Sequence, residues 1–320
     1  MNLSILLAIW LSRIPVIQYA HDYGVLSCPK LSGVDARWQI CFKPLGNCTA
    51  CLPWYYHLEI FNYKICRWFS NKLLKALLVP TENLYKWLLL SGVKKLVFLP
   101  IYVDLPRTNK NNNVTKISNT LLYFGRLEKV KGVEYLIKSL LYLPLERKNI
   151  KLEIVGDGKN RGNLQELTKK LNLEKYVNFC GHIPREDLAK YINNSLCVVV
   201  PSIWRENACL SILESYSFNK PVIATDRGSF PNYIFHGETG LLAKALDEKD
   251  LAKKISKFVY NHSFAKRLGE NGNKLLKKKH SMKLHLTRLL DIFKIALANE
   301  EFQEKISYTV TEFKELKSLS

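Results

Sequence analysis

The sequence has no long hydrophobic run. Its longest uninterrupted apolar stretch, Ile5–Leu11, has seven residues, whereas a helix that crosses a bilayer needs about 20. The start of the chain also lacks the cationic residues and the small-residue cleavage site of a secretory leader. We therefore expect no membrane-spanning segment and a cytoplasmic location. Any contact with the inner face of the cell membrane would be peripheral.

Acidic residues are scarce relative to basic ones. The chain of 320 residues has 48 Lys and Arg against 28 Asp and Glu, a formal net charge of +20. The excess is +6 (11 minus 5) up to Asp104, +14 in Leu105–His280, and zero (6 minus 6) from Ser281 onwards. Such an excess favours a polyanionic partner: nucleic acid, an anionic membrane face or a phosphorylated small molecule. A solvated, lysine-rich surface is the alternative reading of the same composition.

The eight cysteines are expected to be thiols or metal ligands rather than disulfides, because no secretion signal accompanies them. Cys28, Cys41, Cys48 and Cys51 fall within 24 residues, and the last two have the spacing of a chelating pair. We predict a structural zinc site there, with unlinked thiols in an irregular loop as the alternative. The other four lie in apolar segments and are expected in the core: Cys66, Cys180, Cys197 and Cys209.

A regular alternation of apolar runs and helical patterns begins at Leu121. Five short strands separated by helices of about ten residues are typical of a parallel, doubly wound sheet. Ligands bind such sheets at the carboxyl ends of the strands. The predicted strands are Leu121–Phe124, Leu152–Val155, Tyr176–Phe179, Leu196–Val200 and Pro221–Thr225. The predicted helices between them are Val133–Leu143, Asn163–Leu171, Arg185–Asn193 and Leu210–Phe218.

The flanking segments are less regular. Three strands are predicted in the first hundred residues: Pro15–Ala20, Ala76–Val79 and Leu96–Leu99. Leu105–Thr120 has the composition of a linker, and the segment from Ser281 is helical by pattern. The predicted domains are 1–104, a linker at 105–120, the doubly wound sheet at 121–280, and C-terminal helices at 281–320 that pack back on the first domain.

Charged residues occupy the loops that follow the predicted strands. Gly125 lets the backbone approach a ligand, and Arg126 and Lys131 place two cations where a helix N-terminus also points, which suits a diphosphate. Glu206 lies in the loop after the fourth strand, and Glu214 falls about two turns along the next helix on the same side, where it could accept hydrogen bonds from a ribose. The alternatives are surface cations in a turn and a helix with a solvated acid at each end.

Two loops contribute backbone rather than side chains. Gly156-Asp157-Gly158 marks a tight strand-to-helix turn, but it lacks the Gly-Lys-Ser/Thr continuation of a phosphate-binding P-loop. The backbone N–H groups that follow Glu206 are expected to be available to a phosphate.

In combination, these motifs resemble the nucleotide-sugar half of the retaining GT-B glycosyltransferases of family four, the "glycosyl transferases group 1" type. The resemblance covers Leu121–Lys279, and although each motif alone is weak, six in register are specific. The motifs are Gly125-Arg126-Leu127 with Lys131-Gly132, Leu152-Glu153-Ile154-Val155-Gly156-Asp157-Gly158, Val177-Asn178-Phe179-Cys180-Gly181, Pro201-Ser202 with Glu206-x7-Glu214, Pro221-Val222-Ile223-Ala224-Thr225 and Gly237-x-Thr239-Gly240-Leu241-Leu242. Upstream, Pro15–Gly24 and Leu96–Asp104 resemble parts of the family's acceptor domain.

The resemblance implies an α/β protein of the GT-B class with two Rossmann-like domains. The C-terminal domain would be a complete doubly wound parallel sheet and the N-terminal one incomplete. The implied reaction is transfer of a sugar from a nucleotide diphosphate sugar to a glycan or lipid-linked acceptor, with retention of configuration. No Asp-x-Asp metal clamp occurs, so no metal or other cofactor is expected to be required for catalysis. No covalent nucleophile is assigned, because the two carboxylates of a double displacement are not apparent.

The resemblance also implies roles for individual residues. Arg126 and Lys131 would stabilise the departing diphosphate, Glu214 would hold the ribose, and Glu206 would contact the sugar hydroxyls. His21 would touch the sugar from the opposing domain. The backbone amides that assist Glu206 belong to Asn207, Ala208, Cys209 and Leu210. The strand-end residues that border the donor are Gly125, Gly156, Gly181 and His182, the last two beside the base.

The sequence departs from the family pattern in ways that leave a second function open. Members usually carry two or three more strand–helix units before the His-bearing strand, so about 90 residues of acceptor domain are expected to be missing. Ser229–Asn232 stands where Gly-Gly-x-x-Glu is usual, and Asn207–Cys209 where Phe-Gly is usual. The alternative is therefore an inactive GT-B remnant that binds nucleotide sugar without turnover. A nucleic-acid binder is disfavoured, because two acids facing the groove would repel phosphates.

Cations and interfacial aromatics are concentrated in the first hundred residues. With a second lysine cluster downstream, they predict peripheral docking on an anionic membrane. The alternative is that the aromatics belong to the core and the lysines solubilise the protein. The residues concerned are Arg67, Lys72, Lys75, Lys86, Lys94 and Lys95, with Trp68, Phe69 and Trp87, and the second cluster is Lys274, Lys277, Lys278 and Lys279.

Overall fold

The computed structural model describes residues 3–12, 14–21, 65, 67–68, 70–104 and 119–298. Its internal contacts divide the chain into two compact units. The first unit comprises the chain up to Ile101 and again from Met282, and the second runs from Tyr102 to Ser281. None of the helices within these described ranges combines the length and the apolar composition needed to cross a bilayer.

Strands and helices alternate through most of the described chain. The strands are β1 (Val16–Tyr19), β2 (Leu74–Val79), β3 (Leu96–Phe98), β4 (Thr120–Phe124), β5 (Lys151–Val155), β6 (Val177–Gly181), β7 (Cys197–Val200), β8 (Val222–Thr225) and β9 (Gly240–Ala243). The helices with defined bounds are α1 (Leu3–Ser12), α2 (Glu82–Leu90), α3 (Val133–Ser139), α4 (Leu145–Lys148), α5 (Arg161–Lys170), α6 (Arg185–Asn194), α7 (Leu210–Ser217), α8 (Phe230–Tyr233), α9 (Glu248–Tyr260), α10 (His262–Lys279) and α11 (Met282–Leu297). Short 3-10 turns occupy Lys129–Lys131 and Leu140–Tyr142.

The first unit contains a parallel sheet of three strands in the order β1-β2-β3. All three predicted strands of this region are confirmed. Helix α2 connects β2 to β3, and it begins where the Thr81 side chain accepts a hydrogen bond from the N–H of Leu84, as expected of an N-cap. The helix α1, which precedes β1, was not predicted.

Helix α11 packs on this same sheet. Ile292 joins a buried cluster with Ala76 and Leu78 of β2 and with Val97 of β3. His285 Nδ1 lies 2.8 Å from the carbonyl oxygen of Pro100. The chain from Met282 therefore contributes to the core of the first unit.

The second unit is built on six strands in the order β6-β5-β4-β7-β8-β9, and every neighbouring pair is parallel. The five predicted strands and the doubly wound class are confirmed. The sheet has a sixth strand, β9, which was not predicted. The predicted first helix is shorter than expected, since α3 ends at Ser139 and a 3-10 turn continues to Tyr142.

The strand order of the second unit reverses between β4 and β7. The chain first builds outward from β4 to β5 and β6, and then returns to the other side of β4 with β7, β8 and β9. Loops on the two sides of such a reversal diverge at the carboxyl ends of the strands, which leaves a crevice. The loops after β4 and β7 should therefore border the binding crevice of this sheet.

The central strands of this sheet are buried, except at the two ends of β4. Every residue of β7 and β8 is buried, as is typical of parallel sheets. Cys197 is fully inaccessible and Cys209 is nearly so, whereas Cys180 is half-buried. Cys197 and Cys209 thus lie in the core as predicted, the same prediction is wrong for Cys180, and Cys66 lies outside the described residues.

Replacing Gly272 with Ala is expected to lower the free energy of unfolding by about 1–3 kcal/mol. A Cβ added at Gly272 of α10 would lie 2.3 Å from Cδ1 of Tyr216. The Tyr216 ring is fully buried, and its hydroxyl lies 3.1 Å from Oγ1 of Thr239, so the ring cannot move away. Urea unfolding of the purified chain would measure the change.

Gly162 provides the matched control for this substitution. It also lies in a helix, α5, but an added Cβ would meet nothing within 4 Å. Gly162→Ala should therefore raise the free energy of unfolding by about 0.5–1 kcal/mol, since alanine loses less backbone entropy on folding. Equal effects of the two substitutions would contradict the packing of α10 on α7.

Candidate functional site

The loops after β4 and β7 are joined directly at the strand reversal. The N–H of Ile203 donates to the carbonyl oxygen of Val130 at 3.0 Å, and Ser202 Oγ lies 3.1 Å from the same oxygen. Gly132 has a φ of 67°, and an added Cβ there would lie 2.1 Å from the carbonyl oxygen of Pro201. Only glycine fits this conformation and this approach. The loops after β4 and β7 are therefore in direct contact at the carboxyl edge of the sheet.

Lys131 and Glu206 form an ion pair that joins the same two loops. Lys131 Nζ lies 2.6 Å from Glu206 Oε1, and the two side chains are 22% and 15% exposed. Ser202 Oγ lies 2.9 Å from the same carboxylate oxygen. A pair this little exposed is screened by solvent less than a surface pair. The arrangement places one ammonium and one carboxylate at the reversal, each held in position by the other.

Arg126 lies in the same loop in a different environment. Its guanidinium Nη1 is 2.9 Å from Glu128 Oε1, and the arginine side chain is 72% exposed. Its carbonyl oxygen accepts a hydrogen bond from the hydroxyl of Tyr123 at 2.8 Å. The backbone at Arg126 is thus anchored, whereas the side chain reaches into solvent. The structure pairs each of the two predicted cations with its own acid rather than leaving both facing an open site.

The glycines at the ends of β4 and β5 bring three loops together. Gly156 has a φ of 131°, and an added Cβ would lie 2.0 Å from the carbonyl oxygen of Gly125. The N–H of Gly156 donates to the carbonyl oxygen of Gly181 at 2.7 Å. The three glycines predicted to border a ligand are therefore in close backbone contact along one edge of the sheet.

An acidic and a basic side chain lie beside Gly181. Asp157 Oδ1 accepts from the N–H of Gly158 at 2.7 Å, and Asp157 Oδ2 lies 3.1 Å from Arg161 Nη1. The hydrogen bond from Gly158 lowers the pKa of Asp157, and Arg161 acts in the same direction. Arg161 Nη1 also lies 3.7 Å from the position of a Cβ on Gly181. His182 follows Gly181 and is exposed.

Glu214 lies on α7, one turn after the helix begins at Leu210. The expectation of about two turns is wrong, because only four residues, about one helical turn, separate Glu214 from the first residue of α7. Glu214 Oε1 lies 3.6 Å from Arg185 Nη2, and its side chain is 21% exposed. Burial raises the pKa of Glu214, and Arg185 partly opposes that effect.

The residues between Glu206 and α7 are mostly buried. Asn207 and Cys209 are 6% and 9% exposed, whereas Leu210 is 51% exposed. Ala208 is half-buried, and Cys209 forms the N-cap of α7. Burial raises the pKa of the Cys209 thiol to about 11, so the thiol is neutral at physiological pH. Ligand contacts by this segment would therefore come from its backbone.

The loop after β8 supports the Glu206 backbone. The N–H of Ser229 donates to the carbonyl oxygen of Glu206 at 2.9 Å. Gly228 has a φ of 56°, and an added Cβ would lie 2.6 Å from both the nitrogen and the oxygen of Glu206. The supporting contacts of Ser202 and of the loop after β8 were not predicted from the sequence. Gly228 was the signal in the sequence that could have indicated the contact with Glu206. It directly precedes Ser229–Asn232, the segment that departs from the family pattern.

The remaining predicted residues lie elsewhere. His21 follows β1 in the first unit, with its ring centroid 4.9 Å from that of Tyr19. The zinc prediction concerns Cys28, Cys41, Cys48 and Cys51, all of which lie outside the described residues. Within the described ranges, no group of three or more His, Cys, Asp or Glu side chains could hold a metal ion.

Comparisons with known proteins agree on one family. The family model described as "Glycosyl transferases group 1" matches residues 106–275. An uncharacterized glycosyltransferase of Methanocaldococcus jannaschii is 33% identical over 153 residues, which are 43% of this chain and 37% of that protein. A D-inositol 3-phosphate glycosyltransferase of Pseudarthrobacter chlorophenolicus is 30% identical over 165 residues, 50% of this chain and 39% of that protein. The chain thus spans less than half the length of these curated relatives.

A solved structure resembles a larger part of the chain. The crystal structure of Anabaena Alr3699/HepE in complex with UDP matches with a TM-score of 0.71 and 17% identity, over 90% of this chain and 74% of that one. At this level of identity the similarity shows the fold, and it confirms the predicted GT-B class.

Proposed function

Since the chain belongs to the group 1 glycosyl transferases, we propose that it transfers a sugar from a nucleotide diphosphate sugar to an acceptor. The reaction proposed is retaining and does not require a metal ion. The proposed acceptor is a glycan or a lipid-linked acceptor, and the proposed location is the cytoplasm, at the inner face of the cell membrane. No nucleic acid takes part.

The Lys131–Glu206 pair at the strand reversal carries the proposal. A diphosphate leaving group develops negative charge as its bond to the sugar breaks, and a preorganised cation lowers the energy of that state. The Lys131 ammonium is already in place, because the Glu206 carboxylate 2.6 Å away positions it. The carboxylate beside it is suited to accept hydrogen bonds from sugar hydroxyls. In this proposal the ion pair supplies a cation for the diphosphate and a hydrogen-bond acceptor for the sugar.

The other residues complete the donor site. Arg126, exposed at the loop tip, would approach the diphosphate from solvent. Glu214 would accept hydrogen bonds from the ribose hydroxyls, and Gly181 and His182 would border the base. His21 would contact the sugar. Positive side chains replace a metal in this scheme, since the sequence has no Asp-x-Asp clamp.

A donor screen with the purified chain tests this proposal. UDP-, GDP- and ADP-sugars are added in turn, and the thermal unfolding midpoint is recorded, because a ligand that binds only the folded chain raises it. UDP-glucose is the first donor to test, since HepE was crystallised with UDP-glucose. Release of free nucleoside diphosphate from the best donor then measures turnover. A raised midpoint without release would favour the alternative, a protein that binds nucleotide sugar without turnover. No shift with any donor would overturn both functions.

Arg126→Ala is expected to weaken donor binding by about threefold to tenfold. The effect should be moderate, because the exposed guanidinium is shared with Glu128 and screened by solvent. The unfolding midpoint without ligand should not change. Calorimetric titration with the donor measures the affinity, and Arg147→Ala, an exposed arginine on α4, is the control. Unchanged donor affinity in Arg126→Ala would remove this residue from the site.

A further inference from the structure

An exposed apolar stripe runs along α11. The helix buries Ile292 and Ala296 in the first unit, at 1% and 4% exposure. Its other side presents large apolar side chains at intervals of four, three and four residues, each at least 40% exposed. We call these residues the α11 stripe: Leu286, Leu290, Phe293 and Leu297. Apolar surfaces of this extent mark interaction sites in soluble proteins.

The stripe leads into a groove of about 740 Å³ at the end of α11. Ala296 and Leu297 of α11 line the groove together with Trp10, Leu11 and Ile14. Those last three side chains are all more than half exposed. Leu297 belongs to both features, so the stripe and the groove are continuous. We call the two together the α1–α11 surface.

Lysines surround the α1–α11 surface. Lys72 and Lys75 line the groove, and Lys283 and Lys294 lie on α11 beside the stripe, both exposed. Within α11 the only acid is Asp291, which lies 3.8 Å from Lys294. The pKa of Lys95 is lowered, first by burial and then by the charge of Lys75. Among the described residues at the rim, lysines thus outnumber acids.

Aromatic side chains add to this edge of the first unit. Trp10 is 56% and Trp68 is 55% exposed, and Lys72 Nζ lies 4.9 Å from the centroid of the Trp68 ring. By contrast, Trp87 is 6% exposed and belongs to the core, so its predicted place at a membrane interface is wrong. Phe69 lies outside the described residues.

We propose that the α1–α11 surface docks on an anionic lipid bilayer, with α11 lying in the plane of the headgroups. A helix with an apolar stripe and flanking lysines is suited to this position, because its apolar side chains enter the acyl boundary while its cations meet lipid phosphates. Tryptophan prefers the same depth. This inference goes beyond the proposed sugar transfer and specifies where a lipid-linked acceptor would be presented.

Vesicle co-sedimentation tests the docking with the full chain. Vesicles of phosphatidylcholine alone are compared with vesicles that contain one-third phosphatidylglycerol, each at low and at high salt. We expect binding to the anionic vesicles at low salt, and weaker binding at high salt because screening shortens the reach of the lysines. Absence of binding, or equal binding to both kinds of vesicle, would overturn the proposal.

Paired substitutions test the surface itself. Leu290→Ser with Phe293→Ser should weaken vesicle binding by at least about tenfold. Lys283→Gln with Lys294→Gln should weaken it by roughly 25-fold, since each lysine near an anionic surface contributes a factor of about five. All four residues are exposed, so the variants should fold. The controls are Leu141→Ser and the pair Lys169→Gln with Lys266→Gln, which alter exposed residues of the second unit and should have no effect.

These measurements distinguish docking on a bilayer from a subunit interface. If neither paired variant weakens vesicle binding, the surface assignment is wrong. If the wild-type chain self-associates in sedimentation velocity and Leu290→Ser with Phe293→Ser abolishes that association but not vesicle binding, the surface is a subunit interface instead. Donor affinity, measured by calorimetry without lipid, should be the same in all variants. Failure of vesicle binding with normal donor binding would therefore overturn the docking and leave the sugar transfer standing.

Discussion

Lys131→Ala should reduce the affinity for the nucleotide sugar by roughly 10- to 100-fold and turnover by at least 100-fold. The affinity estimate follows from a charge-assisted hydrogen bond of about 1.5–3 kcal/mol to the diphosphate. The larger effect on turnover follows because the ammonium is most useful when negative charge accumulates on the leaving group. Calorimetric titration gives the affinity, and release of nucleoside diphosphate at saturating donor gives turnover.

Lys129→Ala is the matched control for Lys131→Ala. It removes an exposed lysine from the same 3-10 turn and should change neither quantity by more than about twofold. Lys131→Ala also leaves the poorly exposed Glu206 carboxylate without its cation, so the free energy of unfolding should fall by about 1 kcal/mol. Titrations are therefore performed well below the unfolding midpoint. If Lys131→Ala kept the affinity and the turnover of the wild type, the strand reversal between β4 and β7 would be excluded as the diphosphate site.

Glu206→Gln should separate binding from reaction. In the absence of donor, the Glu206 carboxylate neutralises the ammonium that a diphosphate would use. The glutamine has no charge, so the bare nucleoside diphosphate should bind about twofold to fivefold more tightly. Turnover should nevertheless fall by about 100-fold, because the sugar loses its ionised hydrogen-bond acceptor. Calorimetry with the bare nucleotide and turnover with its sugar measure the two effects.

Glu214→Gln is the variant with which Glu206→Gln is compared. Glu214 lies one turn into α7 beside Arg185, and its proposed partner is the ribose. Its substitution should weaken the bare nucleotide and the nucleotide sugar alike, by about threefold to tenfold. Parallel changes in nucleotide affinity for the two glutamate variants would disprove the division of roles between them.

Most of the second unit could be predicted from the pattern of residues along the chain. Strands β4, β5, β6, β7 and β8 are short apolar runs bounded by glycine, proline or polar residues, and such runs indicate buried parallel strands wherever they alternate with helical periodicity. The strand β9 and several helices were not predicted: α1, α2, α4, α8, α9 and α10. Helix α1 is apolar at nearly every position, so no amphipathic period marks it, and β9 has four residues within a stretch first read as a motif.

The sequence predicted the residues of the candidate site but not the contacts between them. Glycines, cations and acids at strand ends indicated Arg126, Lys131, Glu206 and Glu214 one at a time. The sequence could not show that Lys131 and Glu206 form a pair, because 75 residues separate them. It also could not show that Glu214 lies beside Arg185, because the two residues belong to different helices, α7 and α6, whose proximity depends on the tertiary fold.

The sequence by itself therefore determined eight of the nine described strands, the main helices between β4 and β8, the parallel sheet, the family and the identity of the charged loop residues. These depend on local propensity and on the periodicity of buried positions, which are read along the chain. Only the tertiary structure decided which charges neutralise each other, which glycines are required by backbone contact, and that one face of α11 is exposed while the other is buried. Such properties depend on the strand order, which reverses between β4 and β7 and on the folding back of α11. They arise only when segments far apart in sequence come within a few ångströms of one another.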